Sequence, residues 1–174
     1  MLRLFIDPGL RACGSALFRD SELVAAGLPK GGDHDVRRPE ERSEAWIEMA
    51  LSVLRWAGDE IDELTIELPQ IYQTSHQKAQ KKGTDQNDLI HLAAVVSAIC
   101  ATYATIPRRV LLPMEWKSQI PKEIMHARAA VVLSPEELSL IPLTPRSRKR
   151  DHNTMDAVSM GLWALGRLRG GTGG

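Results

Sequence analysis

The sequence predicts an α/β domain built on a mixed five-stranded sheet, with helices on both faces. Three short apolar runs open the chain and are separated by tight turns, as expected for an antiparallel meander. Two further β-rich runs follow, each after a stretch with helical periodicity. We expect one domain over residues 1–169 and a flexible Gly-rich tail over residues 170–174.

The meander is predicted from strands at Leu2–Asp7, Cys13–Phe18 and Glu22–Ala26. The turn dipeptide Pro8-Gly9 stops the first strand. The short connector Arg19-Asp20-Ser21 makes a hairpin of the second and third. Asp7 is therefore expected at the end of the first strand.

The rest of the chain alternates helices with strands. Pro39 suits the first position of a helix, and Gly58 suits its C-terminal stop. Leu64–Leu68 is β-rich and bounded by a proline, which predicts the fourth strand. The later elements are predicted as an exposed loop over Gln70–Gln86, a helix over Leu89–Tyr103, a strand over Arg109–Leu112, a loop over Met114–Gln119, a helix from Pro121 to about Val132, a short capped turn from Ser134, and a final helix behind Asp151.

The charges balance, so any nucleic-acid surface has to come from local clusters. A short basic run is by itself more often a solvated loop than a binding surface. The candidate DNA-binding clusters are Lys78, Lys81 and Lys82 in one stretch, and Arg146, Arg148, Lys149 and Arg150 in another.

Cys13 and Cys100 are far apart and lie in apolar settings, which predicts buried thiols in a reduced, cytoplasmic protein. Arg3 interrupts the first apolar run, so no signal peptide is indicated. The apolar stretch Leu89–Ile106 contains polar residues and lacks anchoring flanks. We interpret it as a buried helix and expect no membrane partner.

Lone carboxylates end two predicted strands, and a third lies in the last helix. Each of Asp7, Glu67 and Asp156 is by itself more often a turn residue, an ion-pair partner or a cap. If the first and fourth strands are neighbours, however, two of these carboxylates meet and repel each other. A divalent cation such as Mg²⁺ removes the repulsion, and two ions about 3.5–4 Å apart suit phosphodiester hydrolysis.

The last helix offers a further ligand at its start. His152 lies four residues before Asp156, so the two side chains share one helical face. Asp151 is the alternative ligand. The competing structural interpretation makes Asp151 or Asn153 the helix N-cap.

The ordered motifs Asp7-Pro-Gly with Gly14 following, Thr65-Ile-Glu67, and His152-Asn-Thr-Met-Asp156-Ala resemble the RuvC-type Holliday-junction resolvases, especially their phage-encoded relatives. The resemblance spans nearly the whole chain in motif order. It implies the RNase H-like (integrase) fold and a Mg²⁺- or Mn²⁺-dependent endonuclease with two ions per site. It also implies a homodimer that nicks two strands of a four-way junction.

By this resemblance Asp7 and Glu67 match the first two carboxylates of the family and Asp156 the last. In the cellular enzymes the fourth ligand lies three residues before the last aspartate, where this chain has Asn153. We favour His152, and the departure leaves Mg²⁺ or Mn²⁺ open because imidazole suits Mn²⁺ better.

The family also holds the scissile phosphate with lysines. Lys117 is the best match and Lys122 the second, and an ordinary surface lysine is the competing interpretation for both. Ile71 or Tyr72 could wedge into the base stack or anchor the loop. The helix over Leu89–Tyr103 is the expected contact between subunits.

Two other functions fit parts of the pattern. A module that binds junctions without cutting them would keep the basic stretches. An actin-like or sugar-kinase phosphotransferase also opens with an Asp-x-Gly turn before a hairpin, but it requires two such domains. Metal-dependent nicking of a four-way junction separates the nuclease from both.

Overall fold

The computed structural model describes residues 1–34, 38–69, 86–144 and 149–168, and these contain five strands and six helices. Their bounds are β1 (Leu2–Asp7), β2 (Gly14–Arg19), β3 (Glu22–Gly27), α1 (Pro39–Ala57), β4 (Glu63–Glu67), α2 (Gln86–Thr102), β5 (Arg108–Leu111), α3 (Pro113–Trp116), α4 (Lys122–Val132), α5 (Pro135–Ser139) and α6 (His152–Ala164). The predicted tail over residues 170–174 lies outside the described residues.

The strands form one mixed sheet in the order β3-β2-β1-β4-β5. The first three strands pair antiparallel, while β4 pairs parallel with both β1 and β5. The predicted meander with two parallel strands added is therefore confirmed. The central strand β1 lies between β2 and β4, which puts the end of β1 beside the end of β4.

Helices cover both faces of the sheet, as predicted, and each face has its own core. On one face Leu4, Ile6 and Ile66 pack with α1 and α2. On the other face Phe5 and Phe18 pack with α4 and α6. Each fully buried side chain of this size contributes about 1.5–3 kcal/mol relative to exposure. Neighbouring residues of a strand point to opposite faces of the sheet. The core to which a strand residue belongs therefore shows the face on which its side chain lies.

The segment after β5 differs from the prediction. Part of the predicted loop Met114–Gln119 belongs to the short helix α3. Pro113 occupies its first turn, and the Glu115 carboxylate accepts a hydrogen bond from the Leu112 backbone N–H at 2.5 Å. A proline start and an acidic residue three positions after the cap are helix-initiating features that the prediction passed over.

Among the described helices, none is both long enough and apolar enough to cross a membrane. This agrees with the prediction of a buried helix over Leu89–Ile106, where Val95, Val96 and Ile99 enter the core.

A buried ion pair links Arg167, which follows α6, to Glu137 of α5 beside the edge strand β3. The Glu137 side chain is 6% exposed, and Arg167 donates to both of its carboxylate oxygens at 2.5 and 2.8 Å. The backbone N–H groups of Leu23 and Ser134 donate to the same carboxylate, each at 2.9 Å. The Arg167 hydrogen bond outweighs burial and, with these backbone donors, lowers the pKa of Glu137 from 4.5 to about 2.

Replacing Glu137 by glutamine tests this ion pair. Glu137→Gln leaves the Arg167 guanidinium without its charged partner, so the free energy of unfolding should fall by about 3–5 kcal/mol. Urea unfolding at pH 7 measures the change. Glu136 is exposed on the same helix, and Glu136→Gln should stay within about 0.5 kcal/mol of the parent protein.

The pH dependence provides a further check on the same pair. A depressed folded-state pKa gives stability that is fully present above the unfolded value of 4.5 and is lost as pH falls toward about 2. The stability difference between the parent protein and Glu137→Gln should therefore shrink over this range. A difference that does not change between pH 7 and pH 2 would contradict the assignment.

Candidate metal centre

Strand register brings two of the predicted carboxylates together. Phe5 pairs with Thr65 and Ile6 with Ile66, so the next residues along the two strands are Asp7 and Glu67. Ile6 and Ile66 point into the core under α1 and α2. Alternation therefore turns Asp7 and Glu67 toward α6, at the carboxyl end of the parallel strands.

The first turn of α6 is fixed against this edge. Asp151 is its N-cap and accepts a hydrogen bond from the Thr154 backbone N–H at 3.0 Å, while the Thr154 hydroxyl lies 3.1 Å from the Gly27 carbonyl oxygen. Gly14, the ladder partner of Asp7, touches the same turn: a Cβ on Gly14 would lie 1.9 Å from the Asn153 carbonyl oxygen. This close approach carries Asp156, one turn later, toward Asp7.

Asp156 is buried and has two partners from α4. His126 Nε2 lies 2.8 Å from Oδ1, and the Lys122 ammonium forms an ion pair with Oδ2. Burial raises the pKa of Asp156, but the hydrogen bonds from His126 and Lys122 outweigh burial and lower it overall. Because Lys122 and His126 are four residues apart on a helix, they reach the same carboxylate.

Glu67 is held by α3 and the residue that follows it. The Trp116 indole N–H donates to Glu67 Oε2 at 2.6 Å, and Lys117 Nζ lies 3.2 Å from the same oxygen. The Glu67 side chain is only 13% exposed. A buried indole donor and an ammonium group therefore compensate this carboxylate.

Asp7 lacks such compensation. Within the described parts of the chain, no hydrogen bond or ion pair reaches its carboxylate. Burial raises the pKa of Asp7 well above its ordinary value, and the negative charges of Asp156 and Glu67 raise it further. The charges of Lys122 and Lys117 offset only part of this. The Asp7 carboxylate is thus placed where a cation would stabilise its charged form.

The donor chemistry fits a hard divalent cation, because three carboxylates supply only oxygen ligands. In the residues that the structure describes, however, no group of three or more acidic, histidine or cysteine side chains is close enough to form a ready-made metal cage. Lys122 and Lys117 occupy the positions beside Asp156 and Glu67. These carboxylates would hold a cation once it displaces the ammonium groups from Asp156 and Glu67.

The structure does not bring His152 to this cluster. His152 is the first residue of α6 and is exposed, whereas Asp156 is buried. The imidazole beside Asp156 belongs to His126 instead. The alternative ligand Asp151 is engaged as the N-cap, which was the structural interpretation of that residue. Within the described residues no contact joins His152 to Asp156, so the ligand role of His152 stays a prediction.

The other predicted DNA-contacting residues fall into three groups. Lys117 and Lys122 lie beside the carboxylates, and Lys149 and Arg150 are exposed just before α6. The remaining candidates lie outside the described residues: Ile71, Tyr72, Lys78, Lys81, Lys82, Arg146 and Arg148.

Sequence reasoning missed His126 and Trp116. The signal for His126 was its four-residue spacing from Lys122 within a predicted helix. Trp116 carried no comparable signal, because its contact joins residues 49 positions apart.

Comparisons with known proteins identify the fold. No family model matches the chain, and no curated protein sequence matches it. A Thermus thermophilus RuvC structure aligns with a TM-score of 0.58 at 18% identity, covering 95% of each chain. T. thermophilus RuvC in complex with a Holliday junction substrate aligns with a TM-score of 0.57 at 17% identity, covering 98% of this chain and 97% of that one.

A yeast protein provides a similar match. The yeast mitochondrial Holliday junction resolvase aligns with a TM-score of 0.59 at 15% identity, covering 96% of this chain and 80% of that one. The particular likeness to phage-encoded relatives stays a prediction. At these identities the comparisons establish the fold: the chain has the RNase H-like fold of the RuvC-type Holliday-junction resolvases.

Proposed function

We propose that this protein is a divalent-metal-dependent endonuclease that nicks branched DNA, in particular four-way junctions. The observation that carries the proposal is the convergence of Asp7, Glu67 and Asp156 on one face of the sheet edge, with the Asp7 carboxylate uncompensated. The fold shared with junction resolvases supports this function over other phosphodiester chemistry. The actin-like or sugar-kinase alternative draws no such support.

Asp7 and Asp156 would hold the Mg²⁺ or Mn²⁺ ions, two per site, and Glu67 would help to hold one of them. When bound, the cations would neutralise charge on the phosphate and acidify the attacking water. The hydrogen bond from Trp116 orients the Glu67 carboxylate, because the indole is buried and cannot follow a moving side chain.

Lys122 and Lys117 have a second task in this proposal. Their side chains are 41% and 26% exposed, so both can leave the carboxylates while the backbone that carries them stays folded. The incoming phosphate then offers each ammonium group a new anionic partner. From their new positions at the edge of the site, the two lysines would stabilise the charged transition state.

We assign the imidazole of the site to His126 rather than to His152. His126 is 20% exposed and contacts Asp156 directly. The imidazole in this position orients the Asp156 carboxylate, and after displacement of Lys122 it would itself supply a nitrogen ligand.

Paired nicks require two such sites, so we propose a homodimer whose protomer is the single domain over residues 1–169. Exposed apolar side chains on the outer surface of α1 and α2 are the proposed contact, and they include Ile47 and Ile90, which are 55% and 64% exposed.

One observation favours a second candidate function. Glu67 and Asp156 are already neutralised by lysines, and this arrangement would persist in a module that binds junctions without cutting them.

The discriminating experiment uses a labelled four-way junction with Mg²⁺, with Mn²⁺ and with EDTA. We expect paired nicks with either metal and none with EDTA. Asp7→Asn should reduce nicking by about a thousandfold or more while preserving or tightening junction binding, because a charge that repels phosphate is removed. The exposed Asp59 provides a matched control, and Asp59→Asn should nick like the parent protein.

Tight junction binding without nicks under either metal would support the binding module instead. If Asp7→Asn remains active, the assignment of Asp7 as a metal ligand is wrong. Stability gives an independent readout, since Asp7→Asn relieves carboxylate repulsion and should raise the free energy of unfolding in EDTA by about 1 kcal/mol.

The two histidines can be compared by single substitution. We expect His126→Ala to slow nicking roughly a hundredfold, because it removes the group that orients Asp156. His152→Ala changes an exposed residue and should stay within about twofold of the parent rate. Single-turnover nicking rates at saturating Mn²⁺ measure both effects. A large loss in His152→Ala with a normal His126→Ala would return the ligand role to His152.

A further inference from the structure

An aromatic ring in the candidate metal centre has a cation on its face. The Lys117 ammonium nitrogen lies 4.9 Å from the centroid of the Trp116 ring, and the same nitrogen is 3.2 Å from Glu67 Oε2. The Trp116 indole N–H donates to this oxygen at 2.6 Å. Trp116 therefore contacts both members of the Glu67–Lys117 ion pair, the carboxylate through its ring edge and the ammonium group through its ring face.

The Trp116 ring is a fixed surface for this contact. Trp116 is 3% exposed and belongs to the core on the α4 and α6 face of the sheet. The backbone on both sides of Lys117 is also held. The Lys117 N–H donates to the Pro113 carbonyl oxygen at 3.1 Å, and Ser118 has a left-handed φ of 50°, which is uncommon for a residue with a side chain. The side chain of Lys117 is therefore the part that can move.

The second lysine of the site differs in this respect. Lys122 forms an ion pair with Asp156 and is 41% exposed, against 26% for Lys117. In the described ranges no aromatic ring lies under its ammonium group. A cation that reaches Asp156 therefore sends Lys122 toward solvent, whereas Lys117 has a second partner beside Glu67.

We propose that Trp116 is a positioning residue for Lys117, because its ring face keeps the ammonium group at the site when a cation binds Glu67. This inference rests on the proposed function, which requires a divalent cation and a phosphate at the carboxylates. Lysine has a flexible four-carbon stem, so an ammonium group released into solvent spreads over many positions. On the ring face it is already ordered when the phosphate arrives.

The two oxygens of Glu67 allow this division. Both the indole and the ammonium group use Oε2, so Oε1 receives neither of them. Glu67 can therefore bind a cation through Oε1 without losing the indole hydrogen bond. The cation repels the Lys117 ammonium group by its charge, while the ring face still attracts it, and tryptophan is the aromatic side chain that does so best.

The first test follows the lysine ε-CH₂ groups by NMR in protein with ¹³C-labelled lysine, titrated with Mg²⁺ without DNA. Protons over an indole face resonate upfield of their solvent-exposed position. We expect the Lys117 signals to lie upfield in EDTA and to remain upfield at saturating Mg²⁺, whereas the Lys122 signals move to solvent-exposed values. Lys117 signals that also move to solvent-exposed values overturn the proposal.

Two variants separate the ring face from the indole N–H. Trp116→Phe keeps an aromatic face but loses the donor to Glu67, whereas Trp116→Leu loses both. The matched control is Trp163→Leu, which removes an indole whose face carries Arg109 at 5.4 Å, outside the carboxylate cluster. The upfield shift of Lys117 should persist in Trp116→Phe and in the control and vanish in Trp116→Leu. The titration of the parent protein decides the question even if Trp116→Leu does not fold.

Single-turnover nicking at saturating Mn²⁺ is the second readout. Trp116→Leu should slow nicking about tenfold. In Lys117→Ala the same change should have no further effect, because the ring then has no ammonium group to hold. Trp116→Phe should raise the Mn²⁺ concentration that gives half the maximal rate, while its rate at saturation stays within about threefold of the parent. Equal losses from Trp116→Leu with and without Lys117 would show a purely structural role and overturn the proposal.

The two proposals can fail separately. If the parent protein nicks junctions but Lys117 loses its upfield shift with Mg²⁺, the ring does not position the lysine and the nuclease stands. If Lys122 responds to Mg²⁺ and Lys117 keeps its shift but the parent protein does not nick, the nuclease is wrong and the positioning role stands. If neither lysine responds to Mg²⁺, the cation site and the positioning role are both wrong.

Discussion

Parallel pairing of β1 with β4 is the constraint on which the candidate site depends. In-register strands that end in Asp7 and Glu67 force two carboxylates to the same edge of the sheet. Asp156 then approaches because α6 rests on Gly14 without an intervening side chain. None of these carboxylates can move away without breaking the strand ladder or the helix packing. Their mutual repulsion is therefore built into the fold. Burial raises the pKa of Asp7, and this repulsion raises it further.

The chain compensates this repulsion unevenly. Lysines neutralise Glu67 and Asp156: Lys117 lies in the connection between β5 and α4, and Lys122 is the first residue of α4. Asp7, on the central strand, has only its neighbours' charges. A site with one uncompensated carboxylate and two exchangeable ammonium groups can accept cations and phosphate together, since the lysines released by the cations gain the phosphate as partner. The uncompensated Asp7 carboxylate lowers the stability of the folded protein, and such a loss of stability is typical of a functional site.

The sheet could be predicted from sequence because its signals are local. Turn dipeptides and apolar runs delimit β1, β2 and β3, and alternation assigns Glu67 to the face opposite Leu64. The two strand-end carboxylates followed from this pattern. The α3 helix was missed although its capping residues are local, because the segment is only four residues long.

The partners of the carboxylates were harder to predict. His152 had the right spacing from Asp156, but spacing alone does not show which way the first residue of a helix points. His152 directly follows the cap residue Asp151 and is exposed. His126 reaches Asp156 across 30 residues through the packing of α4 on α6. Its four-residue spacing from Lys122 puts both on one helical face but does not show which carboxylate that face meets.

The central claim is that the crowding of these carboxylates is relieved by a bound cation. Anomalous diffraction from crystals of the DNA-free protein soaked in Mn²⁺ tests it most directly. The account predicts a manganese peak about 2.1 Å from carboxylate oxygens of both Asp7 and Asp156, with the Lys122 ammonium displaced from Asp156. A map without a peak at Asp7 under saturating Mn²⁺, with the Lys122–Asp156 ion pair intact, would contradict it.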